Sequence, residues 1–493
     1  MKNQAQLITY ADRLPGGTFR DLQRLLEGPF AGAFGGVHVL PFFHPIDGAD
    51  AGFDPIDHTQ VDPRLGTWDD VAALAARTAV MADAIVNHVS RHSPQFLDYD
   101  ARGEASPYAG LFLTYDRVFP DGAREPDLAA LHTPRPNLPF TKHLSRRGAH
   151  VLLWTTFTGD QIDIDVQHPE GRRYLTAVLT RLHDAGVRAI RLDAVGYAIK
   201  KAGTSSFMIP ETFAFIADLT AQAHALGMEV LVEVHGHHQD QIEVARQVDW
   251  VYDFALPPLV LHALYTRDVS RLLRWLEIRP LNAVTVLDTH DGIGVKDVAG
   301  DPRRNAPGLL DRHHIDSLIE TIHERSRGES RLASGDTASN VDSSQINCTF
   351  YDALGRRDGE YLIARAIQCF IPGIPQLYYV GLLAGSNDVD LLRRTGVGRD
   401  INRHYFESAE LSEAMNRPVV QSLLSLLRVR NTHPAFDGTF TIEPSPADRL
   451  VLRWNKHGDW AQLDADLSRM CASISSGGRA KSSGAQVWNS DAE

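Results

Sequence analysis

Cysteine is scarce in this chain: Cys348, Cys369 and Cys471 are an odd number and lie far apart. That excludes a disulfide frame and fits reduced thiols in a cytoplasmic protein. Long apolar runs are lacking, and none approaches the roughly 20 residues that span a bilayer. The first residues, Met1-Lys2-Asn3-Gln4-Ala5-Gln6, have no apolar core of the kind a secretory leader needs. Positive charge is in deficit, with 49 Lys and Arg against 62 Asp and Glu and a net charge of −13. That balance argues against a nucleic-acid or anionic-membrane surface, but not against a local basic pocket for a small anion. No internal repeat is visible beyond an alternation of strand and helix signals.

That alternation organises the chain. At 493 residues there is room for two to four domains, one of them a large α/β barrel. Apolar segments predict strands at Leu7–Tyr10, Gly36–Pro41, Ala82–His88, Gly186–Asp193, Met228–Val234, Trp250–Phe254, Ala283–Asp288 and Pro375–Tyr379. Helix signals fall between them. Thr18 and Asp21 open one helix, and Thr67 and Asp70 open another. Tyr174, Val178, Leu179 and Leu182 stripe a third that Gly186 can end. Eight strands alternating with helices predict a (β/α)₈ barrel of the TIM type. We expect the barrel to comprise 1–87, 167–291 and 359–434. The Pro-, Gly-, Arg- and Asp-rich stretch 88–166 and the polar stretch 292–358 read as inserted domains. Residues 435–493 read as a small C-terminal β domain, with a Ser/Gly-rich tail from Ser475 expected to be flexible.

Chemistry is signalled by acids at the C-terminal ends of apolar strands. Asp193 ends one such run, Glu233 follows Met228-Glu229-Val230-Leu231-Val232, and Asp291 follows Val284 through His290. A buried carboxylate is costly unless it is paired or used. Retaining glycoside chemistry uses two of them: an ionised nucleophile and, about 5 Å away, a protonated acid. Arg191 lies two residues before Asp193, hence on the same strand face, where it can hold the carboxylate as an anion. The apolar setting of Glu233 can favour its protonated form. Asp291 is left to stabilise an oxocarbenium-like transition state, and His88 and His290 are suited to sugar hydroxyls.

Four short segments carry a resemblance. Asp83-Ala84-Ile85-Val86-Asn87-His88, Arg191-Leu192-Asp193-Ala194-Val195, Glu233-Val234-His235 and Thr289-His290-Asp291 resemble the signature regions of the α-amylase superfamily, glycoside hydrolase family 13. The run from Phe42 to Asp54, the run from Val286 to Gly294 and Gly398-Arg399-Asp400-Ile401-Asn402-Arg403-His404-Tyr405 are similar to its sucrose phosphorylase subfamily. The resemblance implies double displacement without metal or organic cofactor. Asp193 would attack the anomeric carbon of an α-glucoside, Glu233 would protonate the leaving group and then deprotonate inorganic phosphate, and Asp291 would stabilise the transition state. It also implies that Asp50, His88, Arg191, His290 and Arg399 grip the glucosyl unit, with Phe53 and Phe157 as its apolar wall. The partners would be a small sugar and inorganic phosphate, in a chain that by analogy can form a homodimer.

A phosphate dianion needs cations, and Arg135, His235 and Arg399 are the candidates, Arg135 in a loop stiffened by Pro134 and Pro136. The expected acceptor site departs from the subfamily. Ser344 and His132 stand where tyrosine is usual, and His237 and His238 follow Glu233 where aromatics are frequent. Asp342 and Gln345 match fructose-contacting positions. His132, Arg135, His237 and His238, with Ser343 and Ser344, fit equally a phosphorylated or carboxylated acceptor. Sucrose is therefore the expected donor. Sucrose 6′-phosphate, glucosylglycerol and glucosylglycerate are the alternatives, followed by hydrolysis or transglucosylation. A zinc site from His235, His237 and His238 fits poorly, because the three crowd one loop. A catalytically silent barrel is disfavoured by the presence of all three acids.

Overall fold

The computed structural model describes residues 1–48, 50–135, 137–302, 304–334, 345–478 and 481–490, the side chains of 481–485 excepted. Among the described residues, eight parallel strands close into a barrel. They are β1 (Gln6–Thr9), β2 (Gly36–Val39), β3 (Ala79–Ile85), β4 (Ala189–Asp193), β5 (Glu229–Val232), β6 (Trp250–Asp253), β7 (Ala283–Thr285) and β8 (Ile374–Tyr378). Each pairs with its sequence neighbours, and β8 closes on β1 with Leu7 opposite Leu377. Burial on both faces explains why the strands read as nearly continuous apolar runs. All eight predicted strands are present. The helix signals hold as well: Thr18 accepts from the Asp21 N–H at 3.2 Å, and Thr67 with Asp70 forms a capping box. Gly186, with φ of +83°, follows the helix Pro169–Asp184.

The barrel interior under its C-terminal mouth is polar. His38 Nε2 lies 2.9 Å from Asp83 Oδ2, the Tyr252 hydroxyl donates to Gln376 Oε1 at 3.0 Å, and Gln376 Nε2 donates to Gln6 Oε1 at 3.2 Å. Each of these buried groups has a partner, as burial demands. In the register of β3 and β4, Asp83 stands opposite Arg191 and is its hydrogen-bond acceptor.

Two excursions leave the barrel. Between β3 and β4, His88–Ser90 pairs with Gln161–Asp163, and Phe140–Leu144 with His150–Trp154, both antiparallel. The buried Lys200 ammonium ties this excursion to the barrel, at 2.8 Å from Asp163 Oδ2 and 2.9 Å from Asn87 Oδ1. Between β7 and β8, Ile293–Gly294 pairs antiparallel with Gln345–Ile346, setting Gln345 opposite Gly294. Among the described residues no helix is long and apolar enough to cross a membrane.

The C-terminal strands Thr439–Glu443, Arg449–Lys456, Asp459–Asp466, Cys471–Gly478 and Lys481–Asn489 form one antiparallel sheet. This corrects the expectation of a flexible tail from Ser475. Ala472 and Ile474 are buried, and Trp488 is buried with its indole N–H donating to the Ser422 carbonyl at 2.9 Å. Small residues alternating with a few apolar ones suffice for an outer strand pair that packs on a helix.

Candidate active site

The C-terminal ends of the strands open into a pocket of about 630 Å³. Nine of the ten residues predicted for the catalytic and glucosyl roles line it: Asp50, Phe53, His88, Phe157, Asp193, Glu233, His290, Asp291 and Arg399. The tenth, Arg191, lies beneath the floor and is 2% exposed.

Arg191 organises the floor. Its Nη1 donates to Asp193 Oδ1 at 2.8 Å and to Asp83, while its Nη2 stands 3.1 Å from Glu233 Oε1. Asp193 is the last residue of β4, and Glu233 immediately follows β5. One planar guanidinium thus holds both carboxylates on adjacent nitrogens, a geometry that lysine cannot reproduce. Glu233 Oε2 also accepts from the backbone N–H of Ala194 at 3.1 Å. Ala194 has a left-handed φ of +54°, which turns the chain sharply after Asp193.

Burial pushes the Asp193 carboxyl well above its ordinary range; Arg191 opposes this, and Glu233, Asp83 and Asp291 add to it. Asp291 behaves oppositely. Although burial disfavours its anion, Arg399 and Arg403 hold the carboxyl well below the usual range, with Arg399 Nη1 at 2.6 Å from Oδ1. Asp291 lies beyond the end of β7, so a loop and these cations place it. Asp50 is likewise lowered against burial by Arg399, Arg403 and Arg135.

The walls are aromatic and neutral. Phe53 stacks on His290, with ring centroids 4.7 Å apart and planes within 7°. Burial drives the His290 imidazole down to about 3, so it is uncharged at neutral pH. His88 Nε2 meets the Phe53 carbonyl at 2.8 Å, and its ring packs edge-on to Phe157 at 5.5 Å. Groups of this kind can form hydrogen bonds and flat ring contacts with a ligand without adding charge.

The predicted acceptor residues divide. His235 and Gln345 line the same pocket. His235 stacks on Phe254 at 3.9 Å, and its Nε2 lies 3.6 Å from Glu233 Oε1 and 3.2 Å from Gln345 Nε2. Burial works against its cation, yet Asp297, Glu233 and Asp291 outweigh it and carry the imidazole up to about 9. Arg135 lies near enough to Asp50 to lower its carboxyl. His132 and His237 line an adjoining cavity that shares Phe207 with the pocket. His132 stacks on Phe207 at 4.3 Å and contacts the Lys296 ammonium at 2.8 Å. His237 caps the helix His238–Ala245, accepting from the Gln239 N–H, with its Nε2 at 3.0 Å from the Pro307 carbonyl. His238 packs edge-on to Trp275 with its ring 4.1 Å from that of His237, and among the described residues His235, His237 and His238 do not bring three ligand atoms together. Asp342, Ser343, Ser344 and Pro136 lie outside the described residues. The donor atoms that could hold a metal, within 4.8 Å of one another, belong to Glu233, His235 and Asp291, inside the pocket itself.

Sequence reasoning missed Asp83, Arg403, Asp297 and Phe254. Asp83 and Arg403 sit inside segments that were noticed, and a charge in an apolar strand was itself the signal for Asp83.

Comparison with known proteins gives a consistent result. Residues 33–247 match the α-amylase catalytic domain. The chain is 58% identical over 478 residues to a sucrose phosphorylase of Agrobacterium vitis, covering 97% of this chain and 98% of that protein. It is 52% identical over 470 residues to a sucrose phosphorylase of Bifidobacterium adolescentis, covering 95% and 93%. The crystal structure of a sucrose 6F-phosphate phosphorylase from Thermoanaerobacter thermosaccharolyticum superimposes with a TM-score of 0.90 at 38% identity, over 99% of this chain and 97% of that one.

Proposed function

The chain belongs to the sucrose phosphorylase subfamily of the α-amylase family, and from that premise we propose that it converts sucrose and inorganic phosphate to α-glucose 1-phosphate and fructose. The observation that carries the chemistry is the single guanidinium of Arg191, which holds Asp193 and Glu233 side by side. In the first half-reaction an Asp193 oxygen bonds to the anomeric carbon while the bond to the leaving oxygen breaks and Glu233 supplies its proton. In the second, a phosphate oxygen bonds to that carbon, the bond to Asp193 breaks, and Glu233 takes the phosphate proton. The pair therefore needs one proton at the start. A leaving oxygen seated against Glu233 draws that proton to Glu233 and leaves Asp193 ionised beside Arg191.

Asp291 is assigned to the positive charge that develops at the anomeric centre, kept ionised by Arg399 and Arg403. Asp50, His88, His290 and Arg399 are assigned to the glucosyl hydroxyls, with Phe53 and Phe157 as the apolar wall. The excursions 88–166 and 292–358 supply the acceptor side, where His235, Arg135 and Gln345 meet phosphate or fructose in turn. The reading calls for no metal and no organic cofactor. It is that of a cytoplasmic enzyme without nucleic-acid or membrane partners, assembling as a homodimer.

The test is to incubate the purified protein with inorganic phosphate and either sucrose or sucrose 6′-phosphate, and to assay glucose 1-phosphate. Faster turnover of sucrose supports the reading. Faster turnover of the phosphorylated sugar moves the acceptor to fructose 6-phosphate. Glucose 1-phosphate from neither donor overturns both, and glucosylglycerol and glucosylglycerate are then the donors to try.

A further inference from the structure

Asp297 has no part in the reading above, yet it is among the most constrained carboxylates near the pocket. It is 1% exposed and sits in the short helical turn Lys296–Val298, in the excursion that follows β7. Its Oδ1 accepts from the Gly236 N–H at 3.3 Å and from Gln241 Nε2 at 3.1 Å. Its Oδ2 is thereby aimed at His235 Nδ1, 3.4 Å away. Gly294 lies against this junction: a Cβ there would stand 2.7 Å from Asp297 Oδ2. The same glycine is the register partner of Gln345, which contacts the far edge of the imidazole.

An imidazole held this way has its tautomer decided. With a carboxylate facing Nδ1, Nδ1 is the N–H donor, and the charge of Asp297 favours a second proton on Nε2. The Phe254 ring fixes the plane, and Nε2 then faces the Gln345 amide at 3.2 Å and the Glu233 oxygen at 3.6 Å; with Nε2 protonated, the amide turns its oxygen to it. The charged groups facing the ring are Asp297 and Asp291 from the β7 excursion and Glu233 from the end of β5, and all three favour the cation.

The two acceptors of a glucosyl-enzyme differ in their need for such a cation. Phosphate approaches as an anion, toward a site where Glu233 is by then a carboxylate. Water carries no charge and meets no repulsion there. We infer that Asp297 is a positioning residue for phosphorolysis: it holds His235 charged, with Nε2–H presented beside Glu233, and thereby biases the glucosyl-enzyme toward phosphate over water. This rests on the phosphorylase reading proposed above.

The experiment is the Asp297→Asn variant of the full chain. Asparagine keeps an oxygen for Gly236 and Gln241 but turns an N–H₂ toward His235, which then stays neutral. The expected result is a rise in KM for phosphate of about tenfold or more, the scale of a lost charge-assisted contact. Hydrolysis of α-glucosyl fluoride without phosphate should stay within about twofold. In the unaltered protein the ratio of phosphorolysis to hydrolysis falls as pH rises through about 9, and in the variant that fall moves to lower pH. An unchanged phosphate KM, or an equal loss of both reactions, overturns the inference. Gly294→Ala, which crowds the same carboxylate, serves if the asparagine variant fails to fold, with the same two outcomes. Absence of glucose 1-phosphate from the unaltered protein would instead defeat the phosphorylase reading itself, so the two failures are distinguishable.

Discussion

The catalytic pair proposed for the donor side is held by the barrel strands, whereas the proposed acceptor side is held by the loops. Asp193, Arg191 and Glu233 stand on or directly after adjacent strands, and the register that pairs Leu192 with Val232 brings Asp193 and Glu233 side by side. His132, Arg135, His237 and Gln345 stand on the excursions or after β5, and several take their partners outside the pocket. A closed set of buried ion pairs has no freedom to vary, because removing one partner strands another charge. Loop residues that pair with carbonyls and neighbouring rings can be exchanged at small cost. The glucosyl chemistry and the acceptor choice are therefore separable on this fold, and each variant below tests that separation.

The largest effect is expected from Asp193→Ala. It removes the proposed nucleophile and should lower glucose 1-phosphate formation by on the order of 10⁴-fold or more. A variant that keeps most of its activity would remove the donor side from the barrel floor altogether. Glu233→Gln should cost about 10²–10⁴-fold on sucrose, the usual range for a general acid. It should retain glucosyl transfer from α-glucosyl fluoride, whose leaving group needs no proton. Equal loss on both donors, read as kcat/KM, would contradict the acid role.

How much was legible follows the same division. Arg191 and Asp193 were readable from period two and the cost of a buried charge, and Glu233 from the apolar strand before it. Asp291 was named with them, although β7 ends at Thr285 and the residue sits in a loop that alternation does not describe. Asp50, Phe53 and Arg399 came only from family-like motifs, since nothing local links them to the strand ends they face. The capping role of His237 went unread because a loop crowded with histidines resembles a binding site. The better signal was Asp240, three residues on, where a helix start is marked. The last two C-terminal strands were missed because serine and glycine concealed the alternation around Ala472 and Ile474.

The two histidines of the pocket offer a titration test of the comparison. On the donor side His290 is buried neutral, its imidazole near 3. Its contribution to stability is present above the unfolded value of about 6.5 and is lost as pH falls toward 3. On the acceptor side His235 is charged, with its imidazole near 9. Its contribution is complete below about 6.5 and is lost as pH rises through 9. Thermal melts across pH should show both flanks, on the order of a few kcal/mol each. His235→Gln should flatten the alkaline flank alone, and flattening of both would mean that the two sides are one electrostatic unit.

The smallest effects sharpen the acceptor side. Gln345→Ala should raise the KM for the sugar acceptor in the reverse reaction about tenfold, because Gln345 lines the pocket beside His235 and Arg399. His237→Ala should leave that KM within about twofold, although the residue belongs to the same run of sequence as His235. Its ring is occupied at both nitrogens, by the Gln239 N–H and the Pro307 carbonyl. What it should lose is a helix cap, about 0.5–2 kcal/mol of stability seen as a lower Tm. If His237→Ala instead changed the preference between sucrose and sucrose 6′-phosphate, the cavity that His237 and His132 line would have to open into the acceptor site, and the boundary of that site would move outward from Gln345 to Lys296.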